Sequence, residues 1–227
     1  MDLINKYFLQ TIDLKQFQQD SFIIIPLGVC CSAAYICRSH TNLTQKAYAF
    51  DWAQINIDSM CNMLQLNKTN IPLFLNEYFS DVDFQNEGIH TKTKSKFPHE
   101  KKADKNVIID KYTRRLIRLN EDISSLQKKL FVVFFLSGTI IPENKSKFLK
   151  LRGKIQSPQE LNTFIVFNAS QINKRQENIF FINLSNYFKP IQDDGLGNQA
   201  FWEILAARYV IAIIKFLTAP KINEVHV

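Results

Sequence analysis

The chain has 227 residues, of which 46% are hydrophobic, and this size and composition are typical of one globular domain. Six glycines and seven prolines are too few for a linker-rich or disordered chain. The net charge of +7 permits contact with phosphates, nucleic acid or an anionic membrane, although the lysine-rich surface of a soluble protein has the same charge. The length allows one large domain or two small ones, and we predict a single domain over residues 1–227.

Cysteine usage and hydropathy indicate the compartment. No cysteine spacing of a secreted disulfide scaffold is present, and the first 20 residues lack the apolar core of a signal peptide. The longest apolar run, Leu130–Leu136, is too short to cross a bilayer. We expect a cytoplasmic protein with free thiols, and delivery to a host cell stays open. The cysteines are Cys30, Cys31, Cys37 and Cys61.

In chain order, the first half predicts a buried strand followed by helices. The strand covers Ser21–Leu27, an apolar run rich in isoleucine that is followed by Gly28. A helix then covers Cys31–Arg38, and a short second strand covers Ala47–Phe50. Apolar residues spaced three and four apart predict two further helices, Trp52–Leu66 and Ile71–Phe79.

A polar segment from about residue 81 to 106 separates the two halves of the chain. Its composition predicts a long exposed loop, which is either functional or a solvated, disordered excursion. A functional loop of this charge would bind an anionic partner. Its lysines are Lys92, Lys94, Lys96, Lys101, Lys102 and Lys105.

The second half predicts a long amphipathic helix, three buried strands and a final helix. The long helix covers Asp110–Lys129, with Asp110 as its cap and Leu126 in its apolar stripe. Continuous apolar strands that alternate with helices indicate a three-layer α/β fold, a mostly parallel sheet with helices on both faces. The remaining predicted elements are the strands Leu130–Leu136, Thr163–Phe167 and Ile179–Leu184, a turn at Asp193–Gly195, and the helix Gln199–Leu217.

Cys31 is the candidate nucleophile, because it follows the first strand and a glycine turn at the start of a predicted helix. A thiol at a helix N-terminus faces backbone N–H groups and the positive end of the helix dipole, which lower its pKa. In parallel sheets, ligands bind beyond the carboxyl ends of the strands. Both Gly28 and Ser137–Gly138 lie at such ends. These two arguments predict that Cys31 lies in a cleft.

A cysteine nucleophile needs a base and a group that orients the base. Among the four histidines, His40, His90, His99 and His226, His99 has neighbours that would fix its position, Phe97, Pro98 and Glu100. The residues alone leave open which histidine serves as the base. Asp51 lies between Phe50 and Trp52 and either orients a histidine or caps the helix that starts at Trp52.

The order of these motifs resembles a family of uncharacterised bacterial and viral proteins described as papain-like cysteine peptidases. Leu27-Gly28-Val29-Cys30-Cys31 matches its strand and cysteine, and Ala49-Phe50-Asp51-Trp52 matches its Pro-Phe-Asp-Trp motif. His99-Glu100 matches its histidine and acidic residue, and Arg114-Arg115 its paired arginines. The resemblance spans residues 22–137 and implies Cys31, His99 and Asp51 as catalytic residues. Ala49 replaces the usual proline, and Glu100 the more usual aspartate.

A second resemblance is to SGNH-type esterases and acyltransferases, which share the strand, sharp turn, nucleophile and helix. Those enzymes use serine and a C-terminal Asp-x-x-His motif, whereas the matching segment Asp193–Asn198 has no histidine. The alternating α/β pattern fits this architecture better than the papain fold. An SGNH-like esterase or O-acyltransferase acting on a glycan is therefore an alternative to the peptidase.

Arg114 and Arg115 are candidate substrate-binding residues, since paired guanidinium groups bind a carboxylate or phosphate. The alternative is a salt bridge to an acid such as Asp110 or Glu121. No metal or phosphate-binding motif is present, and we expect no cofactor. We predict a cysteine-dependent hydrolase or acyltransferase of unknown substrate, be it peptide, acyl ester or glycan. A non-catalytic protein that binds an anionic partner through the lysine-rich segment is the other alternative.

Overall fold

A computed structural model describes residues 22–28, 31–41, 43–44, 46–51, 53–86, 88–100, 102–135, 141–184 and 197–219. The predicted turn at Asp193–Gly195 lies outside these ranges. The strands are β1 (Ile23–Gly28), β2 (Val82–Asp83), β3 (Ile89–His90), β4 (Lys129–Phe134), β5 (Asn162–Phe167), β6 (Lys174–Gln176) and β7 (Ile179–Ile182). The helices are α1 (Ser32–Ala34), α2 (Ile57–Met63), α3 (Ile71–Ser80), α4 (Lys105–Ser124), α5 (Ile141–Arg152) and α6 (Gly197–Thr218). A π-helix, Tyr35–His40, continues α1, and two 3₁₀-helices cover Pro98–Glu100 and Gln159–Leu161.

The main sheet has the strand order β1-β4-β5-β7-β6. The first four of these strands are parallel, and β6 pairs antiparallel with β7. β4 and β7 are buried along their whole length, which explains the continuous apolar runs in the sequence. β2 and β3 form a separate two-stranded hairpin.

Alternate residues of each strand enter two different hydrophobic cores. Ile25 and Leu27 of β1 pack with α2, α3, α4 and α5 on one face. Ile24 of the same strand packs with α1, the π-helix and α6 on the other face. The sheet therefore lies between two helical layers, and the predicted three-layer α/β fold is confirmed. Among the described residues, no helix has the length and apolar character needed to cross a membrane.

α4 is longer at its start, and shorter at its end, than the periodicity predicts. Asp104 caps it by accepting hydrogen bonds from the Asn106 and Val107 backbone N–H groups, so the prediction of Asp110 as the cap is wrong. Leu126 lies beyond the helix and is 85% exposed, so its placement in the apolar stripe is wrong. The apolar stripe that the helix buries contains Tyr112, Leu116, Leu119 and Ile123.

The lysine-rich segment contains short elements of secondary structure in its described part, and Lys92, Lys94, Lys96 and Lys102 in it are exposed as predicted. It contains the β2–β3 hairpin and the first 3₁₀-helix, and Phe97 between them is fully buried. Phe97 packs edge-on against the rings of Phe79 and Tyr112, at centroid distances of 5.3 and 5.8 Å. Aromatic residues within the polar segment thus attach it to α3 and α4.

Two other predicted elements differ from the structure. Residues 49–51 form a turn, so the predicted strand Ala47–Phe50 is absent. α2 begins at Ile57 rather than Trp52, because the Asn56 side chain accepts a hydrogen bond from the Ser59 backbone N–H and caps the helix there. Asp51 therefore does not cap a helix that starts at Trp52.

Asn168 joins the carboxyl ends of three strands. Its side chain donates to the Phe135 carbonyl after β4 and accepts from the Leu184 backbone N–H after β7, at 2.9 and 3.0 Å. Its carbonyl accepts from the side chain of Asn144 in α5 at 2.8 Å. The residue is buried and adopts a φ of 60°, a left-handed conformation that costs a non-glycine residue about 1 kcal/mol.

Asn168→Gly is expected to lower the free energy of unfolding by about 2 kcal/mol, because two buried hydrogen bonds are lost. Asn168→Ala should cost about 1 kcal/mol more, since alanine also retains the left-handed strain. Urea denaturation measures both changes. Glu177→Gly is the control, because Glu177 is exposed with a φ of 54° and glycine should be neutral or stabilising there. Equal stability of Asn168→Ala and wild type would contradict this account.

Candidate active site

Cys31 lies beyond the carboxyl end of β1, immediately before α1, and its side chain is partly exposed. Its carbonyl accepts a hydrogen bond from the Tyr35 backbone N–H at 3.0 Å, which fixes residue 31 to the first turn. The π-helix that follows is a rare element that often occurs at functional sites. The structure thus places Cys31 at the sheet edge where the sequence predicts it.

The other two described thiols are buried. Cys37 is fully buried, and burial together with the charge of Asp51 raises its pKa far above the usual range. Cys61 is 2% exposed, and burial raises its pKa too. Cys30 lies outside the described residues. Among the thiols that the structure describes, Cys31 is therefore the one with solvent access.

Asp51 ends a turn that its own carboxylate stabilises. Its Oδ2 accepts a hydrogen bond from the Tyr48 backbone N–H at 2.9 Å, and its backbone N–H donates to the Tyr48 carbonyl at 3.4 Å. Tyr48, Ala49 and Phe50 are buried with it. The apolar run Ala47–Phe50, which the sequence predicts as a strand, is thus a turn, because Asp51 is hydrogen-bonded to the backbone of Tyr48.

Side chains of α4 hold this turn in place. The Arg118 guanidinium donates to the Ala47 carbonyl at 2.9 Å. The Tyr48 hydroxyl and the Lys46 ammonium group both reach the Asp122 carboxylate, at 2.6 and 2.7 Å. Residues 46–51 therefore run along α4 and bring Asp51 towards its middle.

The Asp51 carboxylate is buried and pairs with the Arg38 guanidinium, while the charge of Arg115 acts on it at longer range. Arg38 Nη1 donates to its Oδ2 at 3.1 Å, and the Asp51 side chain is 0% exposed. Burial raises the pKa of Asp51 to about 6, while the Tyr48 N–H and the charges of Arg38 and Arg115 act in the opposite direction. Its Oδ1 has no hydrogen-bond partner among the residues that the structure describes.

The structure separates the paired arginines. Arg114 is exposed, whereas Arg115 is partly buried with its guanidinium 5.7 Å from the centre of the Tyr112 ring. The Arg115 Nη1 and Tyr112 Oη atoms are buried and have no hydrogen-bond partner within the described ranges. Glu121 pairs with Lys68 rather than with either arginine. The substrate-binding role of Arg114 and Arg115 stays a prediction.

His99 lies in the 3₁₀-helix Pro98–Glu100, and its side chain is exposed. The next residue, Glu100, is buried and pairs with Lys111 of α4 at 2.6 Å. This ion pair attaches the 3₁₀-helix to α4 one turn before Arg115, which acts electrostatically on Asp51. The 3₁₀-helix that carries His99 is thus attached to the N-terminal half of α4, whereas the turn that carries Asp51 is held by residues of its C-terminal half.

His90 has a structural role. It is buried, and its Nδ1 accepts from the backbone N–H groups of Lys92 and Thr93 at 3.2 and 3.4 Å. Its ring packs edge-on against Tyr78 at a centroid distance of 4.3 Å, and burial lowers its pKa. The backbone of His40 ends the π-helix, and His226 lies outside the described residues.

The direction of α4 relates its two ends to the two edges of the main sheet. α4 ends at Ser124, shortly before β4 begins at its amino end with Lys129. The N-terminal half of α4, which ends just before Arg115, therefore extends towards the carboxyl edge, beyond which Cys31 lies. Sequence reasoning did not identify Arg38 as the ion-pair partner of Asp51. The feature of the sequence that pointed to Arg38 was the presence of a basic residue about two helical turns after Cys31.

Comparisons with protein-family models, with curated proteins and with solved structures find no match for this chain.

Proposed function

We propose that the protein is a cysteine-nucleophile enzyme that hydrolyses or transfers an acyl group. The observation that carries the proposal is the position of Cys31: partly exposed beyond the carboxyl end of β1, while Cys37 and Cys61 are buried. Open α/β sheets bind their ligands at this edge. Such chemistry also needs a base and a group that orients it. His99 and the buried carboxylate of Asp51 supply these groups, and the segments that carry them are both attached to α4.

In this mechanism the Cys31 sulfur attacks the acyl carbon of the substrate, and His99 accepts the thiol proton. His99 then gives that proton to the leaving group, which leaves an acyl-thioester on Cys31. Water, or an acceptor hydroxyl in the transfer reaction, attacks the thioester and yields its proton to His99. The C–S bond then breaks, the acyl product leaves, and His99 returns the proton to the Cys31 sulfur. Backbone N–H groups near Cys31 stabilise the oxyanion.

Asp51 is assigned the role of positioning His99. Arg38 and the Tyr48 N–H hold its Oδ2, which leaves Oδ1 to accept a hydrogen bond. A buried carboxylate oxygen without a partner is costly, so an imidazole N–H at this position would be strongly bound. Arg115, which is partly buried and acts electrostatically on Asp51, is assigned to the substrate together with the exposed Arg114.

Alkylation with a limiting amount of iodoacetamide tests which thiol is reactive. We expect Cys31 to be modified at least about a hundredfold faster than Cys37 and Cys61, because burial both blocks access and disfavours the thiolate. Peptide mapping by mass spectrometry measures the modified fraction at each site, and a Cys30→Ser variant separates the two adjacent cysteines. Equal rates at the three sites would contradict the proposal and favour a non-catalytic binding protein.

A further inference from the structure

A cavity of about 440 Å³ lies beyond the carboxyl end of β4. Phe135, which directly follows β4, contributes to its lining together with Ile55 and Ile57. Two lysines line the same cavity, Lys94 from the turn after β3 and Lys147 from α5. Cavities of this size bind small organic molecules, and this edge is the usual ligand edge of a parallel sheet.

Hydrogen bonds hold the turn that carries Lys94. The Asn56 side chain donates to the Thr93 carbonyl at 2.9 Å. The Ser95 hydroxyl accepts from the hydroxyl groups of Thr93 and Tyr78, at 3.0 and 2.9 Å. Lys94 itself adopts a left-handed backbone with a φ of 57°, which a lysine adopts at a cost of about 1 kcal/mol. The structure around the turn thus fixes the backbone of a lysine that lines the cavity.

The charges around the cavity favour an anion. Its one lining carboxylate, Asp58, already pairs with Lys150, which is not part of the lining. Lys147 pairs with Glu143 one turn earlier in α5, at 2.5 Å, and both side chains are partly exposed. Lys94 has no ion-pair partner among the residues that the structure describes. A bound anion would therefore meet one uncompensated ammonium group and a second that is held only by an exposed pair.

We propose that this cavity binds a small organic anion. Its carboxylate or phosphate group pairs with Lys94 and Lys147, and its apolar part packs on Ile57, the most exposed of the apolar lining residues at 9%. The apolar lining distinguishes this site from a simple basic surface, which attracts inorganic anions by charge alone. The proposal does not depend on Cys31, so binding is expected to survive Cys31→Ala.

The test uses benzoate and phenyl phosphate as probes and benzamide as the neutral match of benzoate. In ¹H–¹⁵N NMR titrations of the full chain, we expect at least one anion to shift the backbone signals of Thr93, Lys94 and Lys147 in a saturable way. Benzamide should bind these sites at least about tenfold more weakly, since it lacks the charge-assisted hydrogen bonds.

Matched lysine variants distinguish binding at this cavity from attraction by the overall positive charge of the protein. Lys94→Gln and Lys147→Gln should each weaken binding about tenfold. Lys96→Gln and Lys145→Gln remove the same charge from the same hairpin and helix, outside the cavity lining, and should change affinity less than twofold. The proposal is overturned if neither anion shifts these signals, if benzamide binds as well as benzoate, or if the four variants bind alike.

Discussion

Replacing Cys31 by alanine is expected to abolish turnover of an activated ester. The wild-type protein should release p-nitrophenol from p-nitrophenyl acetate through an acetyl-thioester on Cys31. Without that sulfur only background hydrolysis remains. The p-nitrophenol absorbance measures turnover, and mass spectrometry of peptides from the quenched reaction locates the acetyl group.

His99→Ala should lower the rate of this reaction about 10²- to 10⁴-fold, the usual contribution of a general base. Cys61→Ala is the control, since that thiol is buried and should leave turnover unchanged. Turnover that survives Cys31→Ala, or an acetyl group found on another residue, would contradict the assigned nucleophile. An unchanged rate in His99→Ala would contradict the role of His99 as the base, without affecting the assignment of Cys31 as the nucleophile.

Replacing Asp51 by asparagine is expected to change how stability depends on pH. Burial raises the pKa of Asp51 to about 6 in the folded protein, whereas an aspartate in the unfolded chain titrates near ~3.9. Between these values the folded state binds more protons than the unfolded state. The contribution of this group to stability is therefore fully present below about pH 4 and is lost as the pH rises through about 6.

The difference in unfolding free energy between wild type and Asp51→Asn should fall by at most about 3 kcal/mol between about pH 4 and pH 7. Urea denaturation at a series of pH values measures this difference. Asp83→Asn is the control of opposite sign, because the Asn86 side chain donates to Asp83 and lowers its pKa. Its contribution is present above the unfolded pKa and is lost as the pH falls. A flat or rising difference for Asp51→Asn would contradict the assigned burial effect.

The sheet could be predicted from the sequence because its strands are buried on both faces. β1, β4 and β5 each consist mainly of apolar side chains and lie within a residue or two of their predicted bounds. β6 was not predicted, since Lys174, Arg175 and Gln176 are polar residues paired on one side with β7. β6 is a strand because it is hydrogen-bonded to β7, and the hydrophobic pattern of residues 174–176 contains no information about that pairing.

The site was less accessible to sequence reasoning because its parts meet through turns. The run Ala47–Phe50 has the apolar character of a strand, and the hydrogen bonds between Tyr48 and Asp51 make it a turn. Arg38 meets Asp51 across 13 positions of the chain, and no spacing rule for helices or strands relates them. The position of Cys31 was predictable, since it depends on one strand and the residues directly after it.

The pH profile of Cys31 alkylation tests the central claim most directly, because it reports whether an imidazole and the helix start act on this sulfur. For the wild-type protein we expect a midpoint below ~8.5, the reference thiol pKa, and in His99→Ala a higher midpoint and slower alkylation near neutral pH. A midpoint at or above the reference value that is identical in the two proteins would contradict the account.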